Sequence, residues 1–311
     1  MKLSIVATLY RSAPYLSEFC QRASAVARKI AGDDYEIVLV NDGSPDNSLE
    51  LAVQIAEVDR RVVVVDLSRN FGHHKAIMAG LEHALGERIF LIDSDLEEEP
   101  EWLLEFSALM ETEKPDVVYG RQQTRKGGWF ERWGGEIYYS VFNWICNIEH
   151  PRNIVTARLM TRRYVEALLR YREREMVISC LWVITGFKQC ELIVKKHATS
   201  TTTYSLSKKI EHVTNVITSF SAVPLKLIFY LGFAVFACAM LYAGYLAFNR
   251  LFFSRTVDGW TSVMVSIWVL GGMVISFVGI IGIYLAKIFS ETKQRPHTII
   301  RDVYGRSKSK N

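Results

Sequence analysis

The sequence predicts an α/β domain on a mostly parallel sheet, continued by two membrane-spanning helices, and three observations carry that prediction. Short β-branched runs alternate with helix-like segments through the N-terminal part of the chain. Two of those runs end in acidic turns. In the last third, Leu227 to Asn249 and Gly259 to Ala286 contain no charged residue. Alternating strand and helix signals are the pattern of a parallel sheet with crossover helices, and each uncharged stretch exceeds the about 20 residues that span a bilayer.

The strand-like runs lie at about 3 to 9, 36 to 40, 62 to 66, 88 to 92 and 116 to 119. The first, Leu3-Ser-Ile-Val-Ala-Thr-Leu-Tyr10, is followed by Arg11 and is too short an apolar stretch for a signal peptide. A helix over Leu49 to Val58 has Asp46 or Asn47 to cap it, and Pro100 suits the first turn of a helix over Glu101 to Glu111. Between 129 and 148, Trp129, Trp133, Tyr138, Tyr139, Phe142 and Trp144 recur near a helical period. Such a segment reads as an interfacial helix at the lipid headgroup boundary, with packing on the core as the alternative. Ser205 to Val223 is a second segment of that kind. The expected organisation is a catalytic domain over 1–204, a juxtamembrane helix over 205–225, spans over 226–250 and 259–287, and a basic tail over 288–311.

Charge orients the spans. Their short connection holds Arg250, Arg255 and Asp258, whereas Lys208, Lys209 and Lys226 precede the first span and a basic segment follows the second. The positive-inside rule then puts both termini in the cytoplasm. From Lys287 onward there are seven basic and two acidic side chains, a net +5 that exceeds the +4 of the whole chain. The remainder is near neutral, so nucleic acid is not an expected partner. The tail either attracts anionic headgroups or is simply solvated. The five cysteines show no paired spacing and read as reduced residues that ligate nothing.

The chemistry is concentrated at Asp93-Ser94-Asp95, which closes the run Arg88-Ile-Phe-Leu-Ile92. Two carboxylates two residues apart beyond a buried strand can converge on a hard cation such as Mg²⁺ or Mn²⁺, and strand ends are where open α/β sheets bind ligands. Alone, the triplet equally suits a turn that caps a helix. A second acidic turn, Val40-Asn-Asp-Gly-Ser-Pro-Asp46, follows the run Glu36-Ile-Val-Leu-Val40 and makes a nucleotide and metal site the expectation. His73 and His74 are not read as a metal pair, because adjacent positions project apart on a helix.

These strings, with Leu67-Ser-Arg-Asn-Phe-Gly72, Asp116-Val-Val-Tyr-Gly120, Arg158-Leu-Met-Thr-Arg-Arg163, Ser219-Phe-Ser-Ala-Val-Pro-Leu225 and the late Arg295-Pro296 and Asp302-Val-Tyr-Gly305, cover nearly the whole chain in order. Together they resemble the membrane-bound GT-A glycosyltransferases of family 2 that load a sugar onto polyprenyl phosphate, the group of dolichol-phosphate mannose synthases and bactoprenol glucosyltransferases. The resemblance implies a nucleotide-sugar donor, a UDP-hexose ahead of GDP-mannose, held by Thr8, Tyr10, Asp42, Arg69, Asn70, Lys75, Asp93 and Ser94. It implies Mg²⁺ or Mn²⁺ on Asp93, Asp95 and Glu97, inversion at the anomeric carbon, and a catalytic set of Asp95, Arg125, Arg132 and Arg158. It also implies a multi-pass protein of a bacterial inner membrane with a cytoplasmic catalytic domain, a homo-oligomer such as a tetramer, and a separate flippase.

The implied chemistry is coherent. A cation neutralises the diphosphate leaving group, and an acceptor phosphate already ionised near neutral pH has little need of a strong base. Arg121, Arg125, Lys126 and Arg132 are the cations expected to meet that phosphate. Three departures stand out: Arg121 lies one residue from the usual arginine, where Gln122 stands; Glu97 replaces a glutamine; and Thr156 takes the place of a common acidic residue. Glu173-Arg174 and Trp182 resemble the segment facing sugar and acceptor, with Lys196 a weaker candidate. The rival readings are an enzyme extending a lipid-linked saccharide, which needs a hydroxyl acceptor and a carboxylate base, and a noncatalytic membrane scaffold.

Overall fold

The structure is a computed structural model that describes residues 1–122, 153–174, 176–196, 223–253 and 259–305. It forms two compact units. One contains the described residues through Lys196 together with those from Arg295 to Gly305, and the other contains two long helices.

The first unit is built on an eight-stranded sheet. In chain order its strands are β1 (Leu3–Leu9), β2 (Tyr35–Asn41), β3 (Val62–Leu67), β4 (Arg88–Leu91), β5 (Val117–Gln122), β6 (Ile154–Thr161), β7 (Gln189–Val194) and β8 (Ile300–Tyr304). They lie side by side as β7-β5-β6-β4-β1-β2-β3-β8. The central pairs β1·β2, β1·β4 and β2·β3 are parallel, with Leu9 opposite Asn41 and Asn41 opposite Asp66. Strands covered on both faces read as continuous apolar runs, and every residue of β2 and β3 is buried. The mostly parallel α/β sheet expected from the alternation is therefore present.

The crossovers are α1 (Leu16–Ala31), α2 (Ser48–Val58), α3 (His73–His83) and α4 (Trp102–Glu113). Helix α1 turns Leu16, Phe19, Ala23, Val26 and Ala27 inward, a spacing of three to four that keeps them on one face. Helix α4 contributes Phe106, whose ring meets Phe90 edge to face at 5.9 Å. Two short helices, α5 (Arg162–Leu168) and α6 (Ile178–Ile184), follow β6.

Strand β8 differs from the expectation. Residues 300–304, assigned from sequence to a basic tail, form an antiparallel edge strand on β3. Five residues with two charges carry too short an apolar pattern to read as a strand locally, and only the neighbour's free edge supplies the hydrogen bonds.

The second unit holds α7 (Val223–Phe253) and α8 (Trp260–Thr292). Among the described residues, Ser266–Thr292 is long and apolar enough to cross a membrane, while the apolar part of α7, Val223–Ala239, is shorter. The expected spans 226–250 and 259–287 both fall mainly on these helices. The aromatic segment 129–148 and most of the segment 205–225 lie outside the described residues, as do Arg125, Lys126 and Arg132.

Candidate active site

The carboxyl-terminal ends of β1, β2 and β4 meet on one edge of the sheet, and their loops are tied to one another by side chains. Ser94, after β4, donates to the Thr8 carbonyl at 2.8 Å and lies 2.9 Å from Ser12 Oγ. Ser12 in turn receives the Tyr10 N–H at 3.1 Å, and its own N–H donates to Ser48 Oγ at 3.0 Å. Ser94, expected among the donor-binding residues, links the two loops through its hydroxyl. It holds the Asp93–Asp95 turn against the end of β1.

The second acidic turn is organised by Asp46. Its carboxylate accepts the hydroxyls of Ser44 and Ser48 at 2.5 and 2.6 Å and the amides of Ser48 and Ala13 at 3.2 and 3.3 Å. Burial works to raise this carboxyl, but those hydrogen bonds outweigh it and hold it below the usual aspartate range. Of the two capping candidates, Asp46 serves the start of α2, while Asn47 occupies the cap position without a side-chain bond.

Asp42 is buried, with its two oxygens accepting the amides of Phe71 at 2.7 Å and Gly72 at 3.0 Å. The turn after β2 is therefore clamped to the loop entering α3. Gly43 sits in the left-handed region at φ +58, and a Cβ there would lie 2.4 Å from the Asn70 nitrogen. Only glycine permits that approach. Along the clamped loop, Arg69 and Asn70 are exposed and Lys75 is half-buried in the first turn of α3. The Arg69 guanidinium lies 4.0 Å from the Phe71 ring centre. Exposed Tyr10 and half-buried Thr8 complete the expected donor-binding group on the same edge.

Asp93 and Asp95 are both half-buried. Burial raises the Asp95 carboxyl, with the Asp93 charge adding to it and the Glu97 amide, 3.0 Å away, opposing. His73 bridges β1 and β4: its Nδ1 is 3.1 Å from Thr8 Oγ1 and its Nε2 is 3.6 Å from Asp93 Oδ1. His74 turns elsewhere, with Nδ1 3.0 Å from the Met176 carbonyl. The sequence excludes His73 only as half of a metal pair, and its proximity to Asp93 depends on how α3 packs.

Two further residues complete the acidic edge. Glu98 is fully buried and accepts the amides of Thr156 and Ala157 at 3.0 and 2.8 Å. Burial, then the Asp93 charge, push its carboxyl up to about 8. Lys196 Nζ stands 3.1 Å from Glu97 Oε2 and 3.6 Å from Glu98 Oε1. Burial disfavours the charged amine, but these carboxylates prevail and raise it. Glu97, expected on the metal, is thus engaged by a lysine. Glu98 was missed because a run of three glutamates gives no sign of which one turns inward.

Arg158, expected in the catalytic set, is enclosed against the start of β6. It is 1% exposed, stacked on Trp182 at 2.9 Å from the ring centre, and it donates to the carbonyls of Thr156 at 3.2 Å and Val155 at 3.3 Å. Burial pulls its guanidinium down to about 9. A cation so enclosed braces the start of β6. Arg121 pairs with Glu191 at 2.8 and 2.9 Å.

Among the described residues, no group of three or more His, Cys, Asp or Glu side chains is arranged to hold a metal. The donor set present still suits a hard divalent cation, because such ions are commonly held by one or two carboxylates plus substrate phosphates. Asp93 and Asp95 are that pair, and the upward pull of Asp93 on Asp95 is the crowding of like charge that a cation relieves.

Residues 4–178 match the family described as Glycosyl transferase family 2. A Mycobacterium tuberculosis protein named as a glycosyltransferase is 49% identical over 305 residues, covering 98% of this chain and 89% of that protein. The prophage bactoprenol glucosyl transferase homolog of Escherichia coli is 30% identical over 305 residues, covering 97% and 99%. The bactoprenol glucosyl transferase of Shigella phage SfV is 29% identical over 304 residues, with the same coverage of each. With the strand-end carboxylates in place on a mostly parallel α/β sheet, the chain is a glycosyltransferase and belongs to glycosyl transferase family 2.

Proposed function

We propose that the protein moves one sugar from a nucleotide diphosphate, a UDP-hexose ahead of GDP-mannose, to a polyprenyl phosphate at the cytoplasmic face of a bacterial inner membrane. The observation that carries this reading is the meeting of Thr8, Asp42, Asp93 and Asp95 on one sheet edge, in a chain that also holds an apolar helix long enough to span a bilayer. The names of the bactoprenol relatives support the lipid acceptor.

In this reading Asp42 and the loop it clamps receive the nucleoside, and Arg69, Asn70 and Lys75 face the diphosphate. Asp93 and Asp95 would hold Mg²⁺ or Mn²⁺, which would supply Lewis-acid neutralisation of the leaving group. Lys196 offsets Glu97, and burial favours the neutral form of Glu98, so this pair adds little repulsion to the approaching anion. The acceptor phosphate is its own nucleophile and attacks with inversion, which suits Thr156 where a carboxylate base is absent. Arg125 and Arg132 would guide that phosphate.

Two crossings are supported by the course of the chain. Strand β8 follows α8 yet pairs with β3, so the intervening segment returns to the side on which it began. An even number of crossings, with α7 as the partner of α8, is the reading consistent with that pairing. A homo-oligomer and a separate flippase complete the scheme as expectations.

The test is transfer from radiolabelled UDP- and GDP-sugars to undecaprenyl phosphate by detergent-purified protein with Mg²⁺ or Mn²⁺, beside Asp95→Ala. A lipid-linked product lost in the variant supports the reading. Nucleotide binding without transfer to the lipid phosphate favours an enzyme that extends a lipid-linked saccharide.

A further inference from the structure

The loop that carries Arg69 and Asn70 is held from two sides. On its inner side Asp42 binds the amides of Phe71 and Gly72, and Gly43 abuts Asn70. On its outer side it meets the C-terminal strand: the Ser68 amide donates to the Ile299 carbonyl at 2.8 Å, and Arg301 donates to the Ser68 carbonyl at 2.7 Å. Arg301 also lies 3.4 Å from Asp66 Oδ2.

Asp66 connects the two sides. It is 1% exposed, and its other oxygen accepts the Asn41 side-chain Nδ2 at 2.8 Å. The Asn41 Oδ1 in turn accepts the Ser44 backbone amide at 3.2 Å. Asp66 Oδ2 has no hydrogen-bond partner among the described residues, so Arg301 is the cation that answers it. The contact is anchored: Gly305 at φ +81 would place a Cβ 2.1 Å from the Val62 carbonyl oxygen, so the strand end fits with glycine alone.

We propose that Arg301 is a positioning residue of the donor side, acting through Asp66 and Ser68 to set the turn after β2 and the 68–72 loop against each other. It touches no substrate. An exposed ion pair is worth little by itself, but removing this cation strands a buried carboxylate oxygen, which is the costly case. The segment following the apolar helix α8 thereby reaches the nucleotide loop, and the strand expected to belong to a basic tail is part of the transferase unit.

The proposal rests on the donor-site reading, and its test separates the two. Hydrogen exchange at the amides of Ser68, Phe71 and Gly72 is measured on ligand-free full-length protein for wild type, Arg301→Ala and Arg301→Lys, beside KM for donor and for acceptor. Arg301→Ala is expected to speed exchange at these amides and raise the donor KM about tenfold, with kcat and acceptor KM changing less than about twofold. Arg301→Lys, which keeps the charge without the fork, is expected to fall between. Adding Asp66→Asn to Arg301→Ala is expected to cost less than the sum of the two single changes. Unchanged loop exchange with an unchanged donor KM overturns the proposal, and an equal rise in both KM values assigns Arg301 to general stability. Wild type that neither binds nor transfers from any nucleotide-sugar removes the donor-site reading, while exchange still decides whether Arg301 holds the loop.

Discussion

Lys196 Nζ lies 3.6 Å from the buried carboxylate of Glu98, and this pair links β7's end to the acidic turn after β4. Glu98 in turn fixes the amides of Thr156 and Ala157. Glu98, its carboxyl already raised to about 8, can take up a proton when the lysine is lost, so the full about 3–5 kcal/mol of an uncompensated buried charge is not expected. The lysine here is partly solvated, so Lys196→Met is expected at about 1–3 kcal/mol and Glu98→Ala above it. Thermal unfolding in detergent checks both, and a double-mutant cycle should be strongly non-additive.

Asp95 is expected to govern turnover rather than folding. Asp95→Asn should lower kcat by about 10²–10³ while leaving the unfolding midpoint near that of wild type, as for loss of one transition-state electrostatic contact. Chelation should abolish wild-type transfer and Mn²⁺ should restore it. Full activity after exhaustive chelation would retire the metal assignment.

Gly43→Ala tests the clamp between the two donor-side loops. With φ at +58 and main-chain atoms of Arg69 and Asn70 2.4 to 2.6 Å from the added carbon, the backbone must move. The expected outcome is a loss of about 1–3 kcal/mol in stability, from left-handed strain plus the displaced contact, and a raised donor KM. A donor KM equal to wild type would detach this clamp from nucleotide binding.

Asp46 predicts a pH dependence of stability. Its carboxyl is held below the usual range, so its contribution is fully present above the unfolded value of about 4 and is lost as pH falls through the lower folded value. Asp46→Asn lacks that charge. The gap in unfolding midpoint between wild type and Asp46→Asn should be full near about pH 7 and shrink toward about pH 3. A gap constant over that window would contradict the role given to the four hydrogen bonds.

The strands β1 to β5, the crossover helices α2 and α4 and the two acidic turns were legible in the sequence, because buried parallel strands and their capping turns are local patterns of apolar, β-branched and turn residues. The uncharged stretches over α7 and α8 were equally local. The position of a carboxylate at the ligand-binding edge was legible only where it ended a strand, as for Asp42, Asp93 and Asp95. Tertiary packing alone decided the rest. It enclosed Arg158 against Trp182 when a catalytic role was expected, brought His73 beside Asp93 and chose Glu98 from three adjacent glutamates. It also carried Arg301 back to Asp66 across more than two hundred residues of chain. Such partners are set by which edges and faces meet, and no short-range periodicity records them.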